Sequence, residues 1–257
     1  MAAEELPLTL FFEDLRKRLI LAGTCWLAAF LACYAVAERL FGYIAHPLKA
    51  ILPQKSSLVF LTAVEPFFTY LKVAAMAGLL LCLPLILWQL WGLAARALNI
   101  AEQGLGLAFV LSGCLCFYSG AYLGFTYVFP LIFSVLIDFG IGSGSAQAML
   151  SMDAYLSLTL MLLLAFGLVF ELPILLTLLA RLGLVDHRWL RKHRKYMLIV
   201  AFLFGALFTP GPDVLSQCAL AIPFVVLYEV GILGARALGR SRGAPVENHR
   251  EESPASL

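Results

Sequence analysis

Hydrophobic positions in this chain fall in long blocks separated by short polar breaks, not in the alternation of surface strands. The cleanest block is Ala154–Ala180, AYLSLTLMLLLAFGLVFELPILLTLLA, 27 residues with one charge, Glu171, two positions before Pro173. As a helix it measures about 40 Å, more than the roughly 30 Å hydrocarbon core of a bilayer. Leu19–Ala37 is uncharged for 19 residues, and Val73–Ala95 for 23 with Pro84 inside it. Gly104–Ile137 is uncharged for 34 residues, with its far end expected near Pro130. Each block reads as one membrane-spanning helix. Two shorter runs, Tyr196–Thr209 and Val214–Tyr228, flank the breaker TPGPD at Thr209–Asp213. A helix over the first of these is only about 21 Å long, so the pair predicts a hairpin of short spans where the membrane thins or neighbouring helices shield them. The expected total is six spans.

The polar segments complete the plan. Residues 1–18 place Leu8, Phe11, Phe12 and Leu15 at helical spacing among Glu13, Asp14, Arg16, Lys17 and Arg18, which predicts an amphipathic segment at the membrane surface. Arg39–Glu65, punctuated by Pro47 and Pro53 and followed by Pro66, fits two short interfacial helices or turns. Asp138–Asp153 is a Gly/Ser loop without a basic residue, and the polar stretch 237–257 is expected to be a disordered tail. The domain plan is therefore 1–18 as N-terminal segment, 19–236 as transmembrane domain and 237–257 as tail. Acids precede the basic cluster at the N-terminus, unlike a cleavable signal peptide, so the first span is expected to remain as an anchor.

Composition turns these spans into a class. The chain is 62% hydrophobic and 13% charged, against about 25% charged in soluble domains, and its mean hydropathy is +0.92. It reads as an all-α polytopic membrane protein. Placement of charge gives orientation. Of 18 Lys and Arg residues, 14 fall on one side: Arg16–Arg18, Arg96, six between Arg181 and Lys195, and Arg236, Arg240, Arg242 and Arg250. Only Arg39, Lys49, Lys55 and Lys72 fall on the other. The positive-inside rule predicts both termini in the cytosol, N-in and C-in.

Candidate chemistry is sparse. The six cysteines lie in apolar runs without CxxC or Cys/His spacing, which suits packing better than a disulfide framework or metal site. Phosphate-loop and HExxH motifs are missing, and the four histidines stand outside the spans, so no enzyme, cofactor or nucleic-acid partner is expected. Glu171 is the one charge deep in a span. It is read as a functional polar contact or proton carrier, with a hydrogen-bonded packing residue beside the Pro173 kink as the plainer alternative. Glu102 and Asp14, in polar segments on the basic side, could offer carboxylates to a basic ligand. Glu65 and Asp213 each adjoin a proline and read as helix caps or first-turn dipole partners.

Several stretches resemble the TatC family, the core of the twin-arginine translocase. They are FFEDLRKRL, VEPFFTYLKVA, LPLILWQLWGL with the following AE, FYSGAYLGFTYVFP, FGLVFELP and, most specifically, RKYMLIVAFLFGALFTPGPDVLSQCALAIPFVVLYEVG. The resemblance covers about residues 7–236. It implies a receptor for twin-arginine signal peptides that exports folded proteins across the bacterial cytoplasmic membrane on the proton gradient. It also implies TatA-type and TatB-type single-span partners, contact with membrane lipids and self-association in a larger complex. The implied fold is a curved wall of six helices with a concave face, the last two short. By position, Glu102 matches the glutamate that contacts the signal arginines, and Asp14, Leu15 and Arg16 match the acid-Leu-Arg of the same surface. Pro47 and Pro84 match prolines of the first loop and second span, Glu171 the mid-membrane acid, and Asp213 the acid of the last turn. Phe11 stands where histidine is common, and Arg96 where a proline usually precedes the loop glutamate. The weighed alternatives are a proton-coupled secondary transporter using Glu171, which lacks a second membrane acid and inverted repeats, and a scaffold without transport.

Overall fold

The computed structural model describes residues 8–51, 57–97, 103–134, 149–209 and 214–238. Its helices are α1 (Leu8–Tyr34), α2 (Ala37–Ile51), α3 (Glu65–Ala97), α4 (Gln103–Leu123), α5 (Met152–Arg181), α6 (His187–Lys192), α7 (Arg194–Phe208) and α8 (Val214–Leu238). Beyond α4 the chain winds through a π-helical turn at Gly124–Val128 and stays helical to residue 134. Two three-residue strands, β1 (Ser57–Val59) and β2 (Met149–Ser151), pair in parallel with Ser57 opposite Met149.

Among the described residues five helices are long and apolar enough to cross a membrane: Phe12–Tyr34, Glu65–Arg96, Gly104–Ser134, Met152–Arg181 and Ser216–Leu238. The fifth run expected from the sequence is α7. Its 15 residues make a helix of about 22 Å, short of an ordinary core.

Several boundaries differ from the sequence reading. The amphipathic segment and the first span form one continuous helix, because no breaker stands between residues 18 and 19, and α1 ends at Tyr34 rather than Ala37. Where two short interfacial helices or turns are expected after Arg39, the described residues form the helix α2 to Ile51 and then the strand β1. The α2 stripe Ala37, Leu40, Phe41, Ile44 and Ala45 has helical spacing and packs against the core, with Ala37 and Ala45 buried. The tail expected over 237–257 begins as the last two residues of α8, and residues 239–257 lie outside the described residues.

Neighbours follow a simple order. Helix α1 packs on α3, α3 on α4 and α5, α4 on α5, α5 on α8, and α8 on α7. The main core gathers Phe129, Ile132, Phe133, Tyr155, Leu156, Phe166, Leu220 and Phe224. Its α4–α5 seam is built from rings seated on glycines. A methyl placed on Gly120 would meet the Phe170 ring at 2.5 Å, one on Gly124 the Phe166 ring at 2.7 Å, and one on Gly167 the Phe117 ring at 2.5 Å. Small residues let helix backbones approach where lipid offers no competing hydrophobic drive. At the end of α5, Gly183 takes φ 71°, and its N–H donates to the Ala180 carbonyl at 3.1 Å, closing the helix with a left-handed turn.

Candidate functional site

The first acid of interest stands where α1 crosses the end of α3. Asp14 and Arg18, four residues apart, share one face of α1, and Gln89, Gly92 and Arg96 form a stripe at helical spacing on α3. These faces meet. Asp14 Oδ2 accepts from Arg18 Nε at 2.7 Å, and Asp14 Oδ1 accepts from Arg96 Nη1 at 2.6 Å. Arg18 Nη1 also donates to Gln89 Oε1 at 3.0 Å, and its guanidinium lies where a methyl on Gly92 would stand. Only glycine at 92 leaves room for it. Side-chain exposure is 16% for Asp14 and 19% for Arg18 but 59% for Arg96. One carboxylate thus holds two guanidinium groups, one locked in the helix seam and one at the surface.

The same end of the fold carries a groove of 610 Å³ between α4, α5 and α8. Leu105, Phe109, Pro173, Ile174, Leu178 and Leu233 supply its apolar wall, with Ser112, Thr177 and Arg181 as polar members. Thr177 Oγ1 donates to the Pro173 carbonyl at 2.6 Å.

Glu171 is not among the lining residues described for that groove. It stands on the α4-facing stripe of α5, one turn beyond Gly167. A methyl on Gly113 would lie 3.3 and 3.4 Å from its two carboxylate oxygens and 2.8 Å from Leu87 Cδ1. Glu171 Oε1 is buried and finds no hydrogen-bond partner among the described residues. That oxygen lies beside Gly113 of α4, where the missing side chain leaves room for it. A buried acceptor without a donor costs free energy that packing must offset.

The opposite end holds a third acid. Glu65 stands eight residues before the uncharged run of α3 and is 7% exposed. Its Oε1 accepts from Ser151 Oγ at 2.6 Å and from the Asp153 N–H at 2.8 Å, while Oε2 accepts from the Leu61 N–H at 2.6 Å. The Ser151 hydroxyl, the Asp153 N–H and the Leu61 N–H hold this carboxyl down from its usual value to about 2. Ser151 in turn caps α5 by accepting from the Ala154 N–H at 3.2 Å. Lys72 Nζ adds bonds to Asp153 Oδ1 at 2.6 Å and Ser157 Oγ at 2.9 Å. Glu65 therefore does cap a helix, but chiefly α5 rather than its own. The sequence signal was present in an acid before Pro66 and a Ser-Met-Asp at 151–153, but nothing in it paired the two.

The remaining sequence candidates are distributed as follows. Leu15 is half-buried and Arg16 exposed on α1. Pro84 faces outward within α3. Pro47 belongs to α2, with its side chain outside the described residues, as are Glu102 and Asp213 altogether. The structure brings Asp14 together with Arg18 and Arg96, an arrangement that spacing along the sequence does not show. Among the described residues no cluster of three or more His, Cys, Asp and Glu side chains could hold a metal ion.

Comparison with known proteins adds three findings. Residues 11–223 match the family model described as Sec-independent protein translocase protein (TatC). The chain is similar to the TatC protein of Desulforapulum autotrophicum, with 38% identity over 97% of this chain and 92% of that protein. It is also similar to that of Escherichia coli (strain K12), with 36% identity over 92% of each. A crystal structure described as the twin arginine translocase receptor TatC superposes with a TM-score of 0.80 at 32% identity, covering 89% of this chain and 99% of that one.

Proposed function

Because this chain belongs to the TatC family of Sec-independent protein translocase proteins, multi-pass inner-membrane transport proteins rather than enzymes, we propose that it is the receptor for twin-arginine signal peptides. The observation that supports this most is the likeness of nearly the whole chain to a solved twin-arginine translocase receptor. Paired arginines of the cargo signal bind Glu102 and Asp14, where charge-assisted and bidentate hydrogen bonds to carboxylates give both strength and geometric selectivity. Leu15 and Arg16 belong to the same receiving surface. The apolar part of the signal lies along the groove between α4, α5 and α8, whose wall suits an aliphatic helix.

In this reading α7 is the fifth of six crossings, short because it stands in thinned membrane, and the six helices form the curved, concave wall of the family. The end that carries Asp14, Arg96 and Arg181 faces the cytosol, as the excess of basic residues there requires. Glu171, Pro84, Pro47 and Asp213 belong to the groove and translocation path, with Glu171 as its polar point within the bilayer. TatA-type and TatB-type single-span proteins and further copies of this chain complete a complex that moves folded cargo on the proton gradient. Residues 1–18 and 237–257 are its cytosolic N-terminal segment and tail, and 19–236 its membrane domain.

The test is export of a folded reporter behind a twin-arginine signal in cells that carry this chain as their sole TatC. Glu102→Lys abolishes export while the protein still accumulates in the membrane; unimpaired export refutes the assignment. The proton-coupled transporter considered from sequence gains no support from the family match.

A further inference from the structure

We infer that Arg18 and Arg96 occupy Asp14 as a built-in substitute for an arriving arginine pair, and that Arg96 is the displaceable member whose release sets the affinity of the receiving surface. The inference rests on the receptor reading above but concerns a residue which that reading leaves without a role.

Three observations carry it. Asp14 has both carboxylate oxygens engaged by guanidinium groups, Oδ2 by Arg18 at 2.7 Å and Oδ1 by Arg96 at 2.6 Å. The two arginines are held unequally. Arg18 is further bonded to Gln89 and seated over Gly92, so moving it opens the α1–α3 seam. Among the described residues Arg96 bonds to Asp14 alone, from the last turn of α3, with 59% of its side chain exposed. Both types of contact have the chemistry that a signal arginine would use: a planar, permanently charged fork against a carboxylate. An incoming arginine therefore meets an occupied acceptor. It exchanges with Arg96 at Oδ1, while Arg18 keeps Oδ2 and the orientation of the carboxylate. Exchange of one guanidinium for another at Oδ1 is nearly isoenergetic, so the effect is on apparent affinity. Exposed ion pairs are weak, and loss of this one corresponds to roughly a two- to fivefold change in binding.

The experiment uses the full chain in lipid nanodiscs and two synthetic signal peptides that differ only in an Arg-Arg or Lys-Lys pair. Wild-type protein binds the Arg-Arg peptide more tightly. Arg96→Ala and Arg96→Gln each tighten that binding two- to fivefold, and the gain disappears when Asp14→Asn is added, because the internal competitor then has nothing to occupy. Unchanged or weaker binding in both Arg96 variants overturns the inference and leaves the receptor reading in place. So does a gain that persists beside Asp14→Asn, which marks a general effect of removing positive charge. Failure of wild-type protein to distinguish the two peptides defeats the receptor reading and the inference with it.

Discussion

Gly78 offers the sharpest test of how α1 is attached. Helix α1 packs on α3 and on no other helix to a comparable extent, so the seam between them carries its whole placement. A methyl on Gly78 would stand 2.9 Å from the Phe30 backbone nitrogen, 3.0 Å from its Cα and 3.3 Å from the Ala29 carbonyl carbon. All three are backbone atoms, which cannot rotate away as a side chain would. Gly78→Ala must therefore push the helices apart by a few tenths of an ångström or more along the seam. Inserting a methyl into close packing costs about 1–3 kcal/mol. For a domain of this size about 2 kcal/mol lowers the thermal midpoint by about 4–8 °C. Gly78→Leu costs more. The control is Gly23→Ala on the same helix α1, where a methyl meets nothing within 4 Å. Thermal unfolding of the purified proteins in one detergent, followed by the fluorescence of a buried-thiol dye, should show a loss for Gly78→Ala and none for Gly23→Ala. Equal midpoints for wild type and Gly78→Ala refute the close approach.

Other outcomes follow from the acids and the short hairpin. With its carboxyl held at about 2 against an ordinary 4.5, Glu65 contributes stability that is fully present above pH 4.5 and is lost as the pH falls toward 2. The thermal midpoint of Glu65→Gln should therefore fall less between pH 6 and pH 3 than that of wild type, and parallel curves would count against the cap at this position. Tyr228 donates its buried hydroxyl to the Leu190 carbonyl at 2.9 Å, so Tyr228→Phe should cost about 1 kcal/mol, or about 2–4 °C in the same melt. Glu171→Gln should keep reporter export and Glu171→Leu reduce it to background, since a polar contact survives in the amide. Loss of export in both would instead indicate that the proton itself is needed.

Much of the architecture was legible because the bilayer imposes long apolar blocks and short basic loops. Blocks such as Val73–Ala95 and Ala154–Ala180 sit within α3 and α5, since nothing polar interrupts the requirement for internal backbone hydrogen bonding. Local periodicity said less about Arg39–Glu65, where proline spacing suggested breaks and the stripe from Ala37 to Ala45 instead carries one helix onto α3. Asp14 was recognised as a candidate from its segment, but its partners are 4 and 82 positions away, and the second of these depends on the α1–α3 pairing. The position of Glu171 depended on a glycine on another helix. Sequence identifies a rare charge in a span; only the packing decides whether it opens to a groove or to a seam.

The Glu65 knot also orders the making of the protein. Its acceptors and donors lie 86 and 88 residues apart, with α3 and α4 between them. At ribosomal rates of about 5–20 residues per second, Glu65 emerges roughly 4–18 s before Ser151 and Asp153. Through that interval the nascent first loop has no β2 to pair with, and its edge is open to any other strand. Closure of this knot is thus a late event in biogenesis, conditional on α3 and α4 having already been made.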